Sequence, residues 1–228
     1  MDIVFYTTGT LFTAFGNGSG QFEKVVPSQL TFADVSWVKG ATVADVNGDG
    51  HPDIVFIDDP MVMMGVGDGT FIEANNNLLV GTDCHLADFD KDGHLDLFCA
   101  RLNDSDPRAS GSLMEIHHGN PNGTFTIAPV YSKSYSNADF ISPFAARDLN
   151  GDGYPDILAL SADGLVIFFG KPGMQFSAPV HYAFYDPESI DEDQGDPSLI
   201  ADYNLDGNLD LAMPGANGIY ITDRKSVV

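Results

Sequence analysis

One acidic pattern, repeated four times in step with a glycine-rich turn, leaves this chain few folds to choose from. The copies read Asp45-Val-Asn-Gly-Asp-Gly-His-Pro-Asp53, Asp88-Phe-Asp-Lys-Asp-Gly-His-Leu-Asp96, Asp148-Leu-Asn-Gly-Asp-Gly-Tyr-Pro-Asp156 and Asp202-Tyr-Asn-Leu-Asp-Gly-Asn-Leu-Asp210. Each places oxygen-bearing side chains at positions 1, 3, 5 and 9 and glycine at position 6. The second motif also recurs four times, as Gly16-Asn-Gly-Ser-Gly-Gln-Phe22, Gly65-Val-Gly-Asp-Gly-Thr-Phe71, Gly119-Asn-Pro-Asn-Gly-Thr-Phe125 and Gly170-Lys-Pro-Gly-Met-Gln-Phe176. The acidic loops begin at residues 45, 88, 148 and 202, a recurrence near 50 residues that signals stacked or radial repeats.

The acidic loops carry a metal-binding signature. Calcium takes about six to eight hard oxygen ligands, and a tight loop supplies them from alternate positions. Side-chain oxygens would come from Asp45, Asn47, Asp49 and Asp53 in the first loop, and from Asp88, Asp90, Asp92 and Asp96 in the second. Asp148, Asn150, Asp152 and Asp156 stand there in the third, and Asp202, Asn204, Asp206 and Asp210 in the fourth. His51, His94, Tyr154 and Asn208, at position 7, would add main-chain carbonyls. About four calcium ions are therefore expected, one per loop, in a structural role. Asx/Gly turns make good hairpin connectors without metal, but turn chemistry alone does not ask for the aspartate at position 9. An EF-hand is excluded because Phe56, Cys99, Ala159 and Met213 replace the glutamate it needs at position 12.

Between the loops lie short β-type runs. In the first complete unit, Ala41–Val46, Asp53–Asp58, Met61–Gly67 and Phe71–Val80 read as strands A to D. The acidic loop joins A to B and the glycine turn joins C to D. No segment holds a helical period over three turns. Four strands per repeat of this length describe a blade of an all-β propeller, with four-stranded antiparallel blades and about four to five of them in this chain. The expected division is one repeat domain over 1–228: a partial blade at 1–40, blades near 41–83, 84–144 and 145–198, and a partial blade at 199–228. Phe22, Phe71, Phe125 and Phe176, which end the glycine turns, are expected to pack between blades.

These paired motifs resemble the FG-GAP (VCBS-type) repeats of the integrin α-subunit propeller and of many bacterial and fungal extracellular proteins. The resemblance rests on phrases such as Phe15-Gly-Asn-Gly-Ser-Gly-Gln-Phe22 and Val43-Ala-Asp-Val-Asn-Gly-Asp-Gly-His-Pro-Asp-Ile-Val55, and it covers essentially the whole chain. It implies a calcium-loaded propeller, extracellular or at the cell surface, serving adhesion or ligand recognition. Family propellers commonly have about seven blades. Asp2-Ile-Val4 matches Asp53-Ile-Val55, so the first blade is expected to lack strand A and the last to lack strand D. A segment of a larger propeller, or closure through self-association along open edge strands, would accommodate both ends.

The net charge of −23 argues against nucleic acid as a partner. No apolar run reaches the roughly 18–20 residues that span a bilayer, so membrane insertion is not expected. No signal peptide reads at this end, where Met1 leads directly into Asp2-Ile-Val-Phe. Cys84 and Cys99 flank the second loop almost symmetrically. They are read as two buried free thiols, with a disulfide as the alternative if the loop joins antiparallel strands. Adjacent His117 and His118 would point to opposite faces of a strand, a poor geometry for one zinc ion. Asn17, Asn103 and Asn122 begin Asn-x-Ser/Thr triplets, two of them inside glycine turns where conformation alone accounts for them.

Connector geometry directs the search for a ligand site. In a four-strand meander the A–B and C–D loops share one face, and the B–C and D–A loops share the other. The longest insertions, Arg101–Gly111 and about Ala183–Pro197, are B–C and D–A. They carry Asp104, Asp106, Arg108, Tyr185, Asp186 and Glu188, and the D–A segment before the first loop adds Trp37. In the integrin relatives ligand likewise approaches the face away from the calcium loops. The expected function is a non-enzymatic binding or adhesion module for a protein or glycan. A polysaccharide-acting enzyme or its accessory domain is the main alternative, and a structural or designed repeat fragment without ligand is a third.

Overall fold

The computed structural model describes residues 2–7, 10–29, 40–56, 61–74, 82–102, 112–127, 129, 131–134, 141–161, 164–183, 200–215 and 218–222. Every regular element among them is a β-strand. The first sheet has β1 (Ile3–Thr7), β2 (Thr10–Gly16) and β3 (Phe22–Gln29) in that order. The second is β4 (Ala41–Ala44), β5 (Asp53–Phe56), β6 (Met61–Gly65) and β7 (Phe71–Glu73). The third is β8 (Thr82–Ala87), β9 (Asp96–Leu102), β10 (Ser112–His117) and β11 (Tyr131–Ser134). In the fourth, β12 (Ile141–Arg147), β13 (Asp156–Ser161) and β14 (Gly164–Phe168) are followed by β17 (Val180–Ala183). A two-stranded ribbon of β15 (Gly170–Lys171) and β16 (Gln175–Phe176) intervenes between β14 and β17. The last sheet has β18 (Ile200–Ala201), β19 (Asp210–Gly215) and β20 (Gly218–Thr222).

Each sheet is a sequential antiparallel meander, the blade of an all-β propeller. The register follows from the loops. Ala44 pairs with Asp53, Arg147 with Asp156 and Ala201 with Asp210, so each acidic loop closes a hairpin whose first B-strand residue is the ninth-position aspartate. The A–B–C–D order matches expectation, and the strands are shorter. In the second sheet β4 stops at Ala44 and β6 at Gly65, where the loop aspartates and asparagine and then Asp68 take over the backbone N–H groups, and β7 ends at Glu73; residues 57–60 and 75–80 lie outside the described set.

Contacts divide the chain into two compact units. One comprises Met1–Cys84, His94–Cys99 and Ile116–Val130, and the other His85–Gly93, Ala100–Glu115 and Tyr131–Val228. In the first, Leu11 packs with Ile54, Phe56 and Met63, flanked by Met61 and Phe71, so neighbouring sheets share a core. In the second, Ala145, Leu158, Leu165 and Ile167 pack with Leu211 of the last sheet. The B strands are buried on both faces, which explains why Ile54-Val-Phe56 and Ile157-Leu-Ala159 are unbroken apolar runs. β1 departs from this: it is the B strand of its sheet, yet Ile3, Val4, Phe5 and Tyr6 are all exposed.

Two expectations are corrected here. Cys84 and Cys99 form a disulfide, not two free thiols. The antiparallel A–B hairpin brings their Cα atoms to 4.1 Å, and closing this 15-residue separation contributes about 3 kcal/mol by restricting the unfolded chain. Phe22 is 48% exposed and does not pack between blades. The other three phenylalanines do pack: Phe71 against the first core, Phe125 buried, and Phe176 edge-on to Phe89 and Tyr131 at 6.0 and 5.2 Å.

Candidate metal loops and the aspartate latch

All four acidic loops fold the same way, and their hydrogen bonds show why each position has its residue. The first aspartate turns inward: its Oδ2 accepts the N–H of the sixth-position glycine at 2.9, 3.0, 2.8 and 2.8 Å in Asp45, Asp88, Asp148 and Asp202. The third residue accepts the N–H of the fifth through Oδ1, at 2.9, 3.1, 2.8 and 3.0 Å from Asn47, Asp90, Asn150 and Asn204. The fifth in turn accepts the N–H of the seventh, linking Asp49 to His51, Asp152 to Tyr154 and Asp206 to Asn208. Backbone N–H groups thus gather the carboxyl and carbonyl oxygens of positions 1, 3 and 5. They also hold Asp49 below the ordinary carboxylate range, chiefly through the His51 N–H and then the Asn47 amide.

This donor set suits a hard divalent cation. In the second loop Asp88, Asp90 and Asp92 bring carboxylate oxygens within 4.8 Å of one another. Lys91, the one cation in the sequence of that loop, does not neutralise them, for its ammonium lies 4.0 Å over the Tyr154 ring of the third loop. In the other three loops an asparagine replaces the middle acid, and in two of them it donates to the fifth-position carboxylate, at 2.9 Å from Asn47 and 3.0 Å from Asn150. Calcium, when bound, would supply the positive charge that these oxygens otherwise lack.

The ninth position does something the sequence did not disclose. Asp53, Asp96, Asp156 and Asp210 are all fully or almost fully buried. Oδ2 accepts the N–H of the second loop residue: Val46 at 2.9 Å, Leu149 at 2.8 Å and Tyr203 at 3.0 Å. Oδ1 accepts the N–H of the glycine opening the C–D turn: Gly65 at 2.8 Å, Gly119 at 2.9 Å and Gly170 at 2.8 Å. Asp2 repeats this bond to Gly16 at 2.9 Å, so the match of Asp2-Ile-Val4 to Asp53-Ile-Val55 extends to bonding. The carboxylate latches the acidic loop to the glycine turn of its own blade. The hydrogen bonds give this aspartate a role that does not depend on metal, and each ionised oxygen keeps a second acceptor site open to a cation. Burial pushes the Asp156 carboxyl up to about 6 despite the N–H groups of Gly170 and Leu149.

The latch also explains the first glycine of each turn. A Cβ on Gly65, Gly119 or Gly170 would stand 2.2, 2.1 or 2.2 Å from the carbonyl oxygen of Pro52, Leu95 or Pro155, at the eighth loop position. A–B loop and C–D turn therefore touch at one end of the blade, as the meander requires. His51 covers Gly67 in the same way.

Sequence reasoning missed a second requirement. Position 4 adopts a positive φ in every loop, at 73° in Gly48, 65° in Lys91, 75° in Gly151 and 59° in Leu205. Glycine at position 4 in two of the four copies was the available signal. A left-handed non-glycine residue costs about 1–2 kcal/mol, of which glycine's extra chain entropy returns about 0.5–1. Leu205 is 87% exposed and makes no compensating packing, so Leu205→Gly is expected to stabilise the chain by about 0.5–1 kcal/mol, read from urea unfolding. Lys91→Gly is expected to gain less, since it also removes the stacking on Tyr154.

The expected ligand residues Trp37, Asp104, Asp106, Arg108, Tyr185, Asp186 and Glu188 all lie outside the described residues. His117 is buried with Nδ1 2.8 Å from the Thr126 carbonyl, while His118 is half-buried.

The FG-GAP-like repeat model matches residues 1–56, 88–159 and 148–213, well over half of the chain. No curated protein matches it. Among solved structures, an Agrocybe aegerita lectin described for specific recognition of non-reducing terminal N-acetylglucosamine aligns with 21% identity and a TM-score of 0.60. The alignment covers 96% of this chain and 59% of the lectin, so the chain spans less than two thirds of that protein's length. At this identity the likeness is one of fold.

Proposed function

This chain belongs to the FG-GAP-like repeat family, and on that footing we propose that it is a non-catalytic, calcium-stabilised extracellular module that recognises glycan. The observation that carries the reading is the uniformity of the acidic loops. Four copies with one hydrogen-bond pattern are a repeated scaffold device and not a single reactive centre. A scaffold of this kind leaves recognition to the connectors that vary, and β9 carries the chain from Asp96 at the acidic loop to Leu102 at the other strand end. The lectin of similar fold recognises terminal N-acetylglucosamine, which makes glycans with exposed terminal sugars the first ligand class to test, ahead of proteins. Trp37 and Tyr185 would offer stacking faces for a sugar ring, and Asp104, Asp186 and Glu188 hydrogen-bond acceptors for its hydroxyls. An oxidised Cys84–Cys99 pair suits the extracellular assignment.

A glycan array followed by titration calorimetry in calcium tests this. Saturable binding to a defined glycan is expected, with Trp37→Ala or Tyr185→Ala weakening it about tenfold. Absence of saturable binding to any glycan, or turnover of a polysaccharide by the purified chain, would overturn it.

A further inference from the structure

Two of the three Asn-x-Ser/Thr triplets lie outside both the acidic loops and the proposed recognition connectors. Asn17-Gly-Ser19 and Asn122-Gly-Thr124 both lie in C–D turns but at different positions, Asn17 one residue after the turn's first glycine and Asn122 three residues after it, while Asn103-Asp-Ser105 lies outside the described residues. In both turns asparagine Oδ1 accepts the N–H and the hydroxyl of the residue two ahead. The distances are 2.9 and 2.6 Å to Ser19, and 3.2 and 2.7 Å to Thr124. The second blade has Asp68 at the position of Asn122; it carries no amide and keeps both bonds to Thr70, at 2.9 and 2.6 Å. At the position of Asn122 a carboxylate oxygen therefore serves the turn as well as an amide oxygen does, and the amide nitrogen is not used.

The fate of that nitrogen separates the two triplets. Asn17 Nδ2 donates to Glu23 Oε1 at 3.1 Å. Asn122 Nδ2 donates to none of the described residues. The Asn122 side chain is exposed, although Gly123 beside it is buried, its α-carbon facing Met64 and Asn47 of the second blade. The amide at 122 is thus accessible and surplus to the fold.

We propose that Asn122 is an acceptor for an N-linked glycan, with a lipid-pyrophosphate-linked oligosaccharide as the donor. In the transfer, Nδ2 attacks the anomeric carbon. The C–N bond forms as the C–O bond to the pyrophosphate breaks, the lipid pyrophosphate leaves with the electron pair, and the amide gives up one proton to a base of the transferase. Hydroxyl donation from Thr124 to Oδ1 draws electron density toward oxygen and makes the Nδ2 proton easier to lose. The Cys84–Cys99 disulfide is an independent pointer, because it needs an oxidising compartment of the kind in which this donor is used. A glycan on Asn122 would stand beside the first acidic loop and cover that side of the blade.

The test is secretion of the full chain from a eukaryotic host, followed by intact-mass measurement and glycopeptide mapping. Asn122 should be occupied to a greater extent than Asn17, and peptide-N-glycosidase should remove the sugar and leave aspartate at 122. Asn122→Asp is the informative variant, because it keeps the oxygen that Asp68 shows to be sufficient. It should fold with an unchanged melt and lose the glycan, and Thr124→Ala should lose it too. An unmodified Asn122 in folded secreted protein, or occupancy no greater than at Asn17, would overturn the proposal.

Discussion

Chelating calcium from the loaded chain is expected to lower its melting midpoint by roughly 5–10 °C for each loop that was occupied. A site held at about 100 times its dissociation constant contributes about 2.7 kcal/mol, and a chain of this size shifts by about 2–4 °C per kcal/mol. The physical source is the gathering of oxygens at positions 1, 3 and 5, which backbone N–H groups hold together but do not neutralise. The second loop should bind first, since its three carboxylates lie within 4.8 Å and the other loops have asparagine at the middle position. Asp90→Asn should then weaken that loop toward the others. Calorimetry with calcium, with magnesium and with chelator reads all of this, and magnesium should do less because these loops do not present its tight octahedron. Superimposable melts with and without calcium would sink the assignment of these loops as calcium sites.

Much of the fold was legible because repetition removes ambiguity. One apolar run such as Ile54-Val-Phe56 could belong to a buried helix, but the same run after four acidic loops, the first three each followed by a glycine turn, could only be the B strand of a repeated meander. The oxygens of positions 1, 3 and 5 were legible for the same reason. What was not legible depended on distance across the blade. The partner of Asp53 is Gly65, twelve residues away, and nothing in either motif alone says that they bond. The disulfide required knowing that Cys84 and Cys99 fall opposite one another across the hairpin, a matter of register more than of spacing. Phe22 reads like Phe71 and Phe176, yet it is exposed because its neighbours differ, and local pattern carries no information about those. Strain at Leu205 was hidden because leucine gives no hint of a left-handed backbone.

Replacing a latch aspartate is expected to cost as much as losing metal from one or two loops, and to do so with no metal present. Asp53→Ala leaves the buried N–H groups of Val46 and Gly65 without their acceptor. Each orphaned donor costs about 1–3 kcal/mol, so a loss near 4 kcal/mol is expected. Asp53→Asn keeps one oxygen but turns an amide N–H toward a backbone N–H, so about half that loss is expected. The decisive comparison is in chelator: a residue that served only as a metal ligand would leave the metal-free melt unchanged, whereas a latch lowers it. Asp156 adds a pH signature to the same experiment. Its folded carboxyl is pushed up to about 6 by burial, above its unfolded value, so its contribution is fully present below the ordinary carboxylate range and is lost as pH rises through about 6. The metal-free chain should therefore gain stability through this group on acidification from pH 7 to about 5. Asp49 and Asp68 do not oppose this, because their lowered values place their loss below that window. Asp156→Asn should flatten the dependence while still lowering the melt at pH 5, since it removes the proton but also one acceptor. A metal-free melt that Asp53→Ala leaves in place would mean that the hairpin holds without the latch, and that the ninth aspartate is there for the cation after all.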